Sequence, residues 1–303
     1  LPSLDRHQGQ AVSLKAQWFL APALTGDPAP AMLLLHGCGG VWTRDRQRID
    51  PRFQDMAARL NAMGIHALVL DSLTTRGETE LCTQKVGTRA VTQSNRRLDA
   101  LGALAWLAAQ PGVDARRLGV LGWSNGGSTV LAATNGKRSE VRSAAVRASL
   151  AVAFYPGCEN DSRSGYVATA PLLILIGAED DWTPPQACEK LVVASRSAPQ
   201  APVIELETYP GAHHGFDGLS PLRLRSDVPN GVNPGAGVHV GGHAPSRAAS
   251  RQRIAEERGV DDRIVGIIAI GQHGVERGDR PAGARIHPSP FDQTGDERER
   301  GGR

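Results

Sequence analysis

The chain has 303 residues, of which 40% are hydrophobic and 21% are charged, and its formal net charge at pH 7 is +3. These values are typical of a globular protein with one large domain or two small ones. The arginines are scattered and form no compact basic block, which argues against nucleic acid as a partner. No apolar run approaches the roughly 18 residues that a membrane span requires.

The first predicted elements alternate between strand and helix. A strand is expected over residues 11–20, and the apolar run at 31–35 is typical of a strand buried on both faces of a parallel sheet. Residues 50–63 predict a helix, with Asp50 as N-cap and Pro51 at its first position. Four residues fall on one face of this helix and should be buried: Phe53, Met56, Ala57 and Leu60.

This alternation continues to residue 209. Five residues mark a second amphipathic helix: Leu98, Leu101, Leu104, Ala105 and Ala108. Further strands are predicted at 65–71, 118–121, 148–155, 171–177 and 203–209, and further helices at 126–135 and 184–196. Strands that alternate with helices of this length predict an α/β fold with a mostly parallel sheet covered on both faces.

The composition changes after about residue 258. One isolated apolar run follows at 264–270, and residues 271–303 are rich in Gly, Arg, Asp and Pro with a single Phe. Such a segment buries too little apolar surface to offset the entropy lost on ordering. We therefore expect one folded domain over residues 1–257 and an irregular or disordered tail over residues 258–303.

A Gly-x-Ser-x-Gly sequence occupies residues 122–126, with Ser124 at its centre. It lies between a predicted strand and a predicted helix, which is the setting of a nucleophile elbow. In that turn a strained serine backbone exposes the hydroxyl at the carboxyl edge of the sheet. The alternative is a glycine-rich turn with an ordinary N-cap serine.

A serine hydroxyl needs a base, and the base needs an acid that orients it. In this type of fold the chain order is Ser, then Asp or Glu, then His. Asp180 and Asp181 follow the strand at 171–177, while His213 and His214 follow the strand at 203–209. No further ligand cluster accompanies the two histidines and the cysteines lack Cys-x-x-Cys spacing, so no metal is expected.

An oxyanion hole would need two backbone amides near Ser124. The residue after the nucleophile, Asn125, would supply one of them. The other would come from Cys38, in the glycine-rich loop His36–Gly40 that follows the early strand. An ordinary glycine-rich turn is the alternative for this loop.

Six segments together resemble the dienelactone hydrolase family of α/β-hydrolases. They are HGCGG (36–40), DSLTTRG (71–77), GWSNGG (122–127), FYPGC (154–158), GAEDDWTPP (177–185) and YPGAHHGFD (209–217). The resemblance covers roughly residues 10–257. It implies an α/β-hydrolase fold with little or no cap, no cofactor, and a small-molecule ester or lactone as substrate.

Matched position by position, the resemblance implies that Ser124 is the nucleophile, Asp180 the acid and His214 the base. Asp181 and His213 are the adjacent alternatives. The namesake enzymes use a cysteine nucleophile and carry a Glu on the loop after the early strand. This chain has Ser124 and His36-Gly37-Cys38 there, which favours ester hydrolysis in general over the dienelactone reaction. The segment at 227–235 recurs in the serine-bearing branch of the family.

Three further residues are expected near the substrate. Arg76 follows the strand at 65–71, and an arginine near this place meets a substrate carboxylate in the family. The alternative is a solvated loop arginine. Trp123 and Trp182 flank the triad positions and could line an acyl pocket, although core packing would explain both equally well.

The four cysteines allow two disulfides. Cys38 and Cys82 follow two early strands that this fold makes neighbours, and Cys158 and Cys188 follow two later ones. The chain begins at Leu1 rather than Met, so we expect that an N-terminal segment was removed or left out, and a cleaved signal peptide is one explanation. Together these features favour a periplasmic or secreted protein. Four reduced thiols in a cytoplasmic enzyme are the alternative.

The leading hypothesis is therefore a serine hydrolase that cleaves carboxylic esters or lactones. A peptidase or thioesterase of the same fold would use the same residues. A protein of another class, a binding scaffold without catalysis, is less consistent with the intact Ser124, Asp180 and His214.

Overall fold

The computed structural model describes residues 1–22, 27–43, 45–195 and 202–255. The apolar run at 264–270 and the tail predicted at 258–303 lie outside the described residues. In chain order, the strands are β1 (Pro2–His7), β2 (Gln10–Ser13), β3 (Lys15–Phe19), β4 (Ala29–Leu35), β5 (His66–Asp71), β6 (Val113–Trp123), β7 (Leu150–Phe154), β8 (Leu172–Gly177), β9 (Ile204–Tyr209), β10 (Arg223–Arg225) and β11 (Val238–Val240). The helices are α1 (Pro51–Ala62), α2 (Gln93–Ala108), α3 (Asn125–Ala133), α4 (Ser139–Ser143), α5 (Glu159–Ser164), α6 (Pro185–Ser195) and α7 (Ala244–Ala255).

The central sheet has the strand order β3-β5-β4-β6-β7-β8-β9. Strand β3 is antiparallel to β5, and all other neighbours are parallel. Strands β5, β7 and β8 are buried at every position. Because successive side chains of a strand point to opposite faces, complete burial requires cover on both faces of the sheet. The predicted α/β fold is thus confirmed.

The parallel strands end together at one edge of the sheet. Leu35 at the end of β4 pairs with Gly122 in β6, and Trp123 at the end of β6 pairs with Phe154 at the end of β7. Gly177 at the end of β8 pairs with Tyr209 at the end of β9. The loops that follow β4, β6, β8 and β9 therefore open at the same edge, which is where open α/β sheets build their sites.

Helix α1 begins as the sequence predicts. The Asp50 carboxylate accepts a hydrogen bond from the Arg52 amide at 2.9 Å, and Pro51 is the first helical residue. The predicted apolar face is buried, and it consists of Phe53, Met56, Ala57 and Leu60.

Helix α2 departs from its predicted apolar face. Leu101 and Leu104 are buried, but Ala105 is exposed. The buried side of α2 instead includes the charged residues Arg96, Arg97 and Asp99. These side chains bond to residues in distant parts of the chain. A prediction based only on the spacing of apolar residues therefore misplaces the buried face of α2.

The strand predicted over residues 11–20 is in fact two strands. β2 pairs with β1 in an N-terminal hairpin, whereas β3 leaves the hairpin and joins β5 in the central sheet. The hairpin packs closely on α2, where a Cβ atom on Gly102 would lie 2.6 Å from the Pro2 carbonyl oxygen. No helix among the described residues is long and apolar enough to cross a membrane.

Candidate active site

Ser124 lies at a sharp turn between β6 and α3. Its backbone has φ 54° and ψ −118°, a conformation that L-residues rarely adopt, and its amide donates to the Phe154 carbonyl at 2.9 Å. Small neighbours are required here. A Cβ on Gly122 would lie 2.3 Å from the Gly126 carbonyl oxygen, and a Cβ on Gly126 would lie 2.1 Å from the Leu35 carbonyl oxygen. This is the geometry of a nucleophile elbow.

Ser124, His214 and Asp180 form a continuous hydrogen-bonded series. His214 Nε2 lies 2.8 Å from Ser124 Oγ, and His214 Nδ1 lies 2.9 Å from Asp180 Oδ2. A carboxylate can only accept, so the imidazole Nδ1–H donates to Asp180 and leaves Nε2 as the acceptor for the serine hydroxyl. His214 and Asp180 are each only 3% exposed, while Ser124 is half-buried.

The loop after β8 holds the Asp180 carboxylate in place. Asp180 Oδ1 accepts from the amides of Trp182 and Thr183, at 3.0 and 2.8 Å. The Thr183 hydroxyl lies 3.1 Å from both Asp180 Oδ2 and His214 Nδ1. Thr183 was not predicted from the sequence, although an Asp followed three residues later by Thr is a typical Asx-turn pattern.

Asp181 and His213 point elsewhere. The Asp181 carboxylate accepts from the His239 amide at 2.8 Å and lies 2.7 Å from His239 Nδ1. The His213 ring lies 5.4 Å from the His239 ring, centre to centre. Both side chains are therefore engaged with β11, and the structure brings Asp180 and His214 to Ser124 instead.

Two aromatic rings flank His214. The rings of Tyr155 and Trp182 each lie 4.6 Å from the imidazole, centre to centre. Tyr155 has a positive φ of 36°, and its hydroxyl donates to Asp217 at 2.6 Å. Tyr155 was not singled out from the sequence, although it belongs to the FYPGC segment. Trp182 is half-buried, and its place in an acyl pocket stays a prediction.

Two residues predicted to contact substrate have other positions. The Arg76 side chain is 1% exposed and donates to Asp99 at 2.7 and 2.9 Å and to Asp5 at 2.7 Å. Trp123 is 2% exposed, stacks on Phe154, and donates from its indole nitrogen to Asp217 at 2.8 Å. Side chains so buried and bonded have no access to a substrate, so the predicted contacts of Arg76 and Trp123 with substrate are wrong.

The loop after β4 passes beside the serine. A Cβ on Gly37 would lie 3.5 Å from Ser124 Cβ. The next residue, Cys38, accepts at its carbonyl from the Leu81 amide at 2.7 Å and is joined by a disulfide to Cys82. Within the described residues, neither the Cys38 amide nor the Asn125 amide donates to another protein group. Both amides are available to a bound oxyanion.

The structure contains the two disulfides that the topology allows, Cys38–Cys82 and Cys158–Cys188, and each has a Cα–Cα distance of 5.0 Å. The sequence separations are 44 and 30 residues. Loops of these lengths give a similar entropic stabilisation of roughly 4 kcal/mol each in the chain-entropy account. Disulfides persist mainly in oxidising compartments, and the compartment of this protein stays a prediction.

The two disulfides should differ in their effect on catalysis. Cys38 directly follows Gly37, which lies beside Ser124, whereas Cys158–Cys188 joins the loop after β7 to α6. We expect the double variant Cys38→Ser/Cys82→Ser to lower kcat by about tenfold or more, because the Cys38 amide would no longer be held in place to donate to an oxyanion. The matched control Cys158→Ser/Cys188→Ser should lower the melting temperature similarly but change kcat less than about threefold. Equal losses of kcat in the two variants would contradict this assignment.

His36, at the start of the same loop, is fully buried and neutral. Its Nδ1–H donates to the Gly37 carbonyl at 2.7 Å, and its Nε2 accepts from the Ser72 amide at 3.2 Å. Burial, assisted by the positive charge of Arg96, lowers the pKa of His36 from 6.5 to about 3. Protonation would break the bond from Ser72, because a protonated imidazole has no acceptor nitrogen.

This lowered pKa predicts an acid sensitivity. Between pH 6.5 and about pH 3 the unfolded chain binds one proton at this histidine that the folded chain does not. Its contribution to stability is therefore fully present above pH 6.5 and declines by about 1.4 kcal/mol per pH unit below it. We expect His36→Gln to show a shallower loss of unfolding free energy between pH 6 and pH 4.5. Urea unfolding measures this, and parallel slopes in the two proteins would refute it.

No group of three or more His, Cys, Asp or Glu side chains in the described part of the chain is arranged to hold a metal ion.

The fold and this arrangement define an α/β-hydrolase. Residues 19–222 match the sequence profile of the dienelactone hydrolase family, and the chain belongs to that family. It is a carboxylic ester hydrolase that acts on esters or lactones.

Individual relatives are similar over most of their length. A Bradyrhizobium protein named probable 2-oxo-3-(5-oxofuran-2-ylidene)propanoate lactonase is 29% identical over 223 residues, which are 68% of this chain and 82% of that protein. Thermogutta terrifontis esterase 2, solved with butyrate bound, superposes with a TM-score of 0.55 at 18% identity over 88% of this chain and 94% of the esterase. A candidate dienelactone hydrolase from Klebsiella pneumoniae gives 0.54 at 20% identity, over 80% and 96% of the two chains. At these identities the two solved structures support the fold alone.

Proposed function

We propose that this enzyme cleaves its ester or lactone through an acyl-enzyme on Ser124. His214 acts as general base and then as general acid, Asp180 orients the imidazole, and the amides of Cys38 and Asn125 form the oxyanion hole. One observation carries the proposal: the two imidazole nitrogens of His214 lie 2.8 Å from Ser124 Oγ and 2.9 Å from Asp180 Oδ2.

In the first half of the reaction, Ser124 Oγ attacks the carbonyl carbon while His214 Nε2 takes the hydroxyl proton. The carbonyl oxygen becomes an oxyanion, which the two backbone amides stabilise by hydrogen bonds. His214 is then positively charged, and the adjacent Asp180 carboxylate stabilises that charge. Collapse of the tetrahedral intermediate breaks the bond to the alkoxy oxygen, which receives the proton from His214.

In the second half, His214 Nε2 takes a proton from the attacking water. The bond between the acyl carbon and Ser124 Oγ then breaks, Oγ recovers the proton from His214, and the carboxylic acid leaves. With a simple ester, the alcohol departs before this step. With a lactone, the alcohol remains attached to the acyl group, so the product is a single hydroxy acid. The Bradyrhizobium relative is named as a lactonase, so lactones belong among the substrates to be tested.

The surroundings of Asp180 support its assignment as the acid. Two amide donors hold one carboxylate oxygen, which leaves the other oxygen for the histidine. These two donors fix the orientation of the carboxylate, as its proposed role toward the imidazole requires.

A fluorophosphonate probe tests the proposal, because it reacts with serines that an adjacent base activates. We expect one equivalent of label, located by peptide mapping at Ser124. Turnover should then be measured on p-nitrophenyl esters of graded acyl length, aliphatic lactones, a thioester and a peptide amide. Faster turnover of the thioester or the amide would favour the alternatives of a thioesterase or a peptidase. An unlabelled Ser124 in folded protein would overturn the proposal and favour a binding scaffold.

A further inference from the structure

A fully buried arginine that this mechanism does not use lies behind the proposed oxyanion hole. Arg96, in α2, is 0% exposed. One end nitrogen of its guanidinium donates to the Asn125 side-chain oxygen, and the other donates to the His36 carbonyl at 2.7 Å. Asn125 carries one proposed donor amide, and His36 begins the loop that carries the other on Cys38. A single side chain thus links the two loops that form the hole.

Two nearby carboxylates, Asp99 and Asp71, raise the pKa of Arg96, but neither is hydrogen-bonded to it. No carboxylate in the described part of the chain accepts a hydrogen bond from it. The carboxylate of Asp99 is bonded to Arg76 and Ser3, and that of Asp71 is bonded to Trp42 and Thr74. Burial lowers the pKa of Arg96 to about 10, so the guanidinium remains charged at neutral pH.

Burying an unpaired charge is costly, and such groups occur preferentially at functional sites. The adjacent histidine, His36, is neutral and adds no second charge. Gln93, also in α2, donates to the Asn125 carbonyl at 3.0 Å and accepts from the Thr129 hydroxyl at 2.8 Å. Helix α2 therefore holds both the backbone and the side chain of Asn125.

We infer that Arg96 is a positioning residue for the oxyanion hole. It fixes the separation of the loops that carry the Cys38 and Asn125 amides, and it places a buried positive charge behind them. The inference rests on the proposed function. The oxyanion exists only in the transition state and the tetrahedral intermediate, so the contribution of Arg96 acts on kcat and hardly on KM.

Variants of Arg96 and of its neighbour Arg97 test the inference. Arg97 is also buried in α2, but its guanidinium bonds to Glu140 at 3.0 Å, so Arg97→Met is a matched control. We expect Arg96→Met to lower kcat by about 100-fold with KM changed less than threefold. Arg96→Lys keeps the charge but reaches fewer acceptors, and it should lower kcat by about tenfold. Arg97→Met should change kcat less than threefold, even if its melting temperature falls.

The affinity for a trifluoromethyl ketone provides a second readout. This inhibitor adds to an active serine and forms an oxyanion in the hole, so its binding should weaken by the same factor as kcat falls. If the role of Arg96 were purely structural, Arg96→Met would lower the melting temperature, but the losses of kcat and of affinity for the ketone would not match. The inference is overturned if folded Arg96→Met keeps kcat within threefold, raises KM instead, or binds the ketone as the wild type does.

If Arg96→Met does not fold, Arg96→Lys and Asn125→Ala decide the question. Asn125→Ala keeps the backbone amide but removes the side-chain oxygen that Arg96 holds, and it should lower kcat by about tenfold. Wild-type kcat in both variants would overturn the inference. Failure of the proposed function itself would show differently, because the wild-type Ser124 would then remain unlabelled by the fluorophosphonate.

Discussion

Ser124→Ala is expected to lower kcat/KM by about 10⁵-fold or more without disturbing the fold. The hydroxyl that is removed bonds to His214 Nε2, whereas the turn itself depends on the backbone of Ser124. The Ser124 amide donates to Phe154, and its carbonyl accepts from the Ser128 amide at 2.9 Å. Alanine keeps both groups and has the same Cβ at the positive φ, so the strain of the turn is unchanged.

The measurement is turnover of an activated ester by wild type and variant, with circular dichroism and melting temperature compared. Ser128→Ala is a suitable control, because it removes a nearby hydroxyl whose partners are backbone groups. That hydroxyl donates to the Ser124 carbonyl at 3.3 Å and accepts from the Gly157 amide at 2.8 Å. Its kcat/KM should stay within about tenfold of the wild-type value. Ester hydrolysis by Ser124→Ala at a comparable rate would remove Ser124 from the role of nucleophile.

The sheet and the site loops could be predicted because their signals are local. β4, β7 and β8 are short, mainly apolar runs, which is the pattern of strands buried on both faces of a parallel sheet. The glycines around Ser124 are required by backbone contacts of 2.1–2.3 Å that any Cβ would make, and glycines are visible in a sequence. The family resemblance then assigned Ser124, Asp180 and His214, on three separate loops, to one triad.

The charged interior of α2 could not be predicted in the same way. Periodicity treats Arg96, Arg97 and Asp99 as solvent-facing, because isolated charges are rarely buried. Their partners come from far along the chain: Arg96 bonds to the carbonyl of His36, 60 residues away. No local window contains both members of such a pair. The position of Arg76 was mispredicted for the same reason, since its partner Asp5 lies 71 residues before it.

The segment after β9 was missed for a different reason. Strands β10 and β11 have three residues each, too few for an alternating pattern to be recognised. Their placement depends on long-range contacts, such as the bridge between Val240 and His214 and the pair of Asp181 with His239. Helix α7 is largely polar and carries a narrow buried side of Ser246, Ser250 and Ile254.

The alanine variant of His214 is expected to lose about as much activity as that of Ser124, because members of a catalytic triad act as a unit. Without the imidazole, no base in the described part of the chain is hydrogen-bonded to Ser124 Oγ. The adjacent histidine should not replace it, because the His213 ring packs toward His239. We therefore expect His213→Ala to change kcat/KM less than about tenfold, through small shifts of its neighbour.

Replacing Asp180 should likewise lower kcat far more than replacing Asp181. Asp180→Asn should lower kcat by on the order of a thousandfold or more, because an amide can donate to Nδ1 and favour the tautomer with its proton on Nε2. That tautomer cannot accept the proton of Ser124. Asp181→Asn should cost less than about tenfold, because Asp181 is bonded to the amide and ring of His239 instead of the catalytic histidine.

The kcat/KM values of these four single variants on one activated ester test both assignments at once. The two near-silent variants, His213→Ala and Asp181→Asn, control for general disturbance of the loops after β9 and β8. The expected pattern is two large losses, at His214 and Asp180, beside two small ones. If instead His213→Ala or Asp181→Asn were the inactive member of its pair, the loop concerned would present the adjacent residue to Ser124 in solution, and the proposed triad would be wrong at that position.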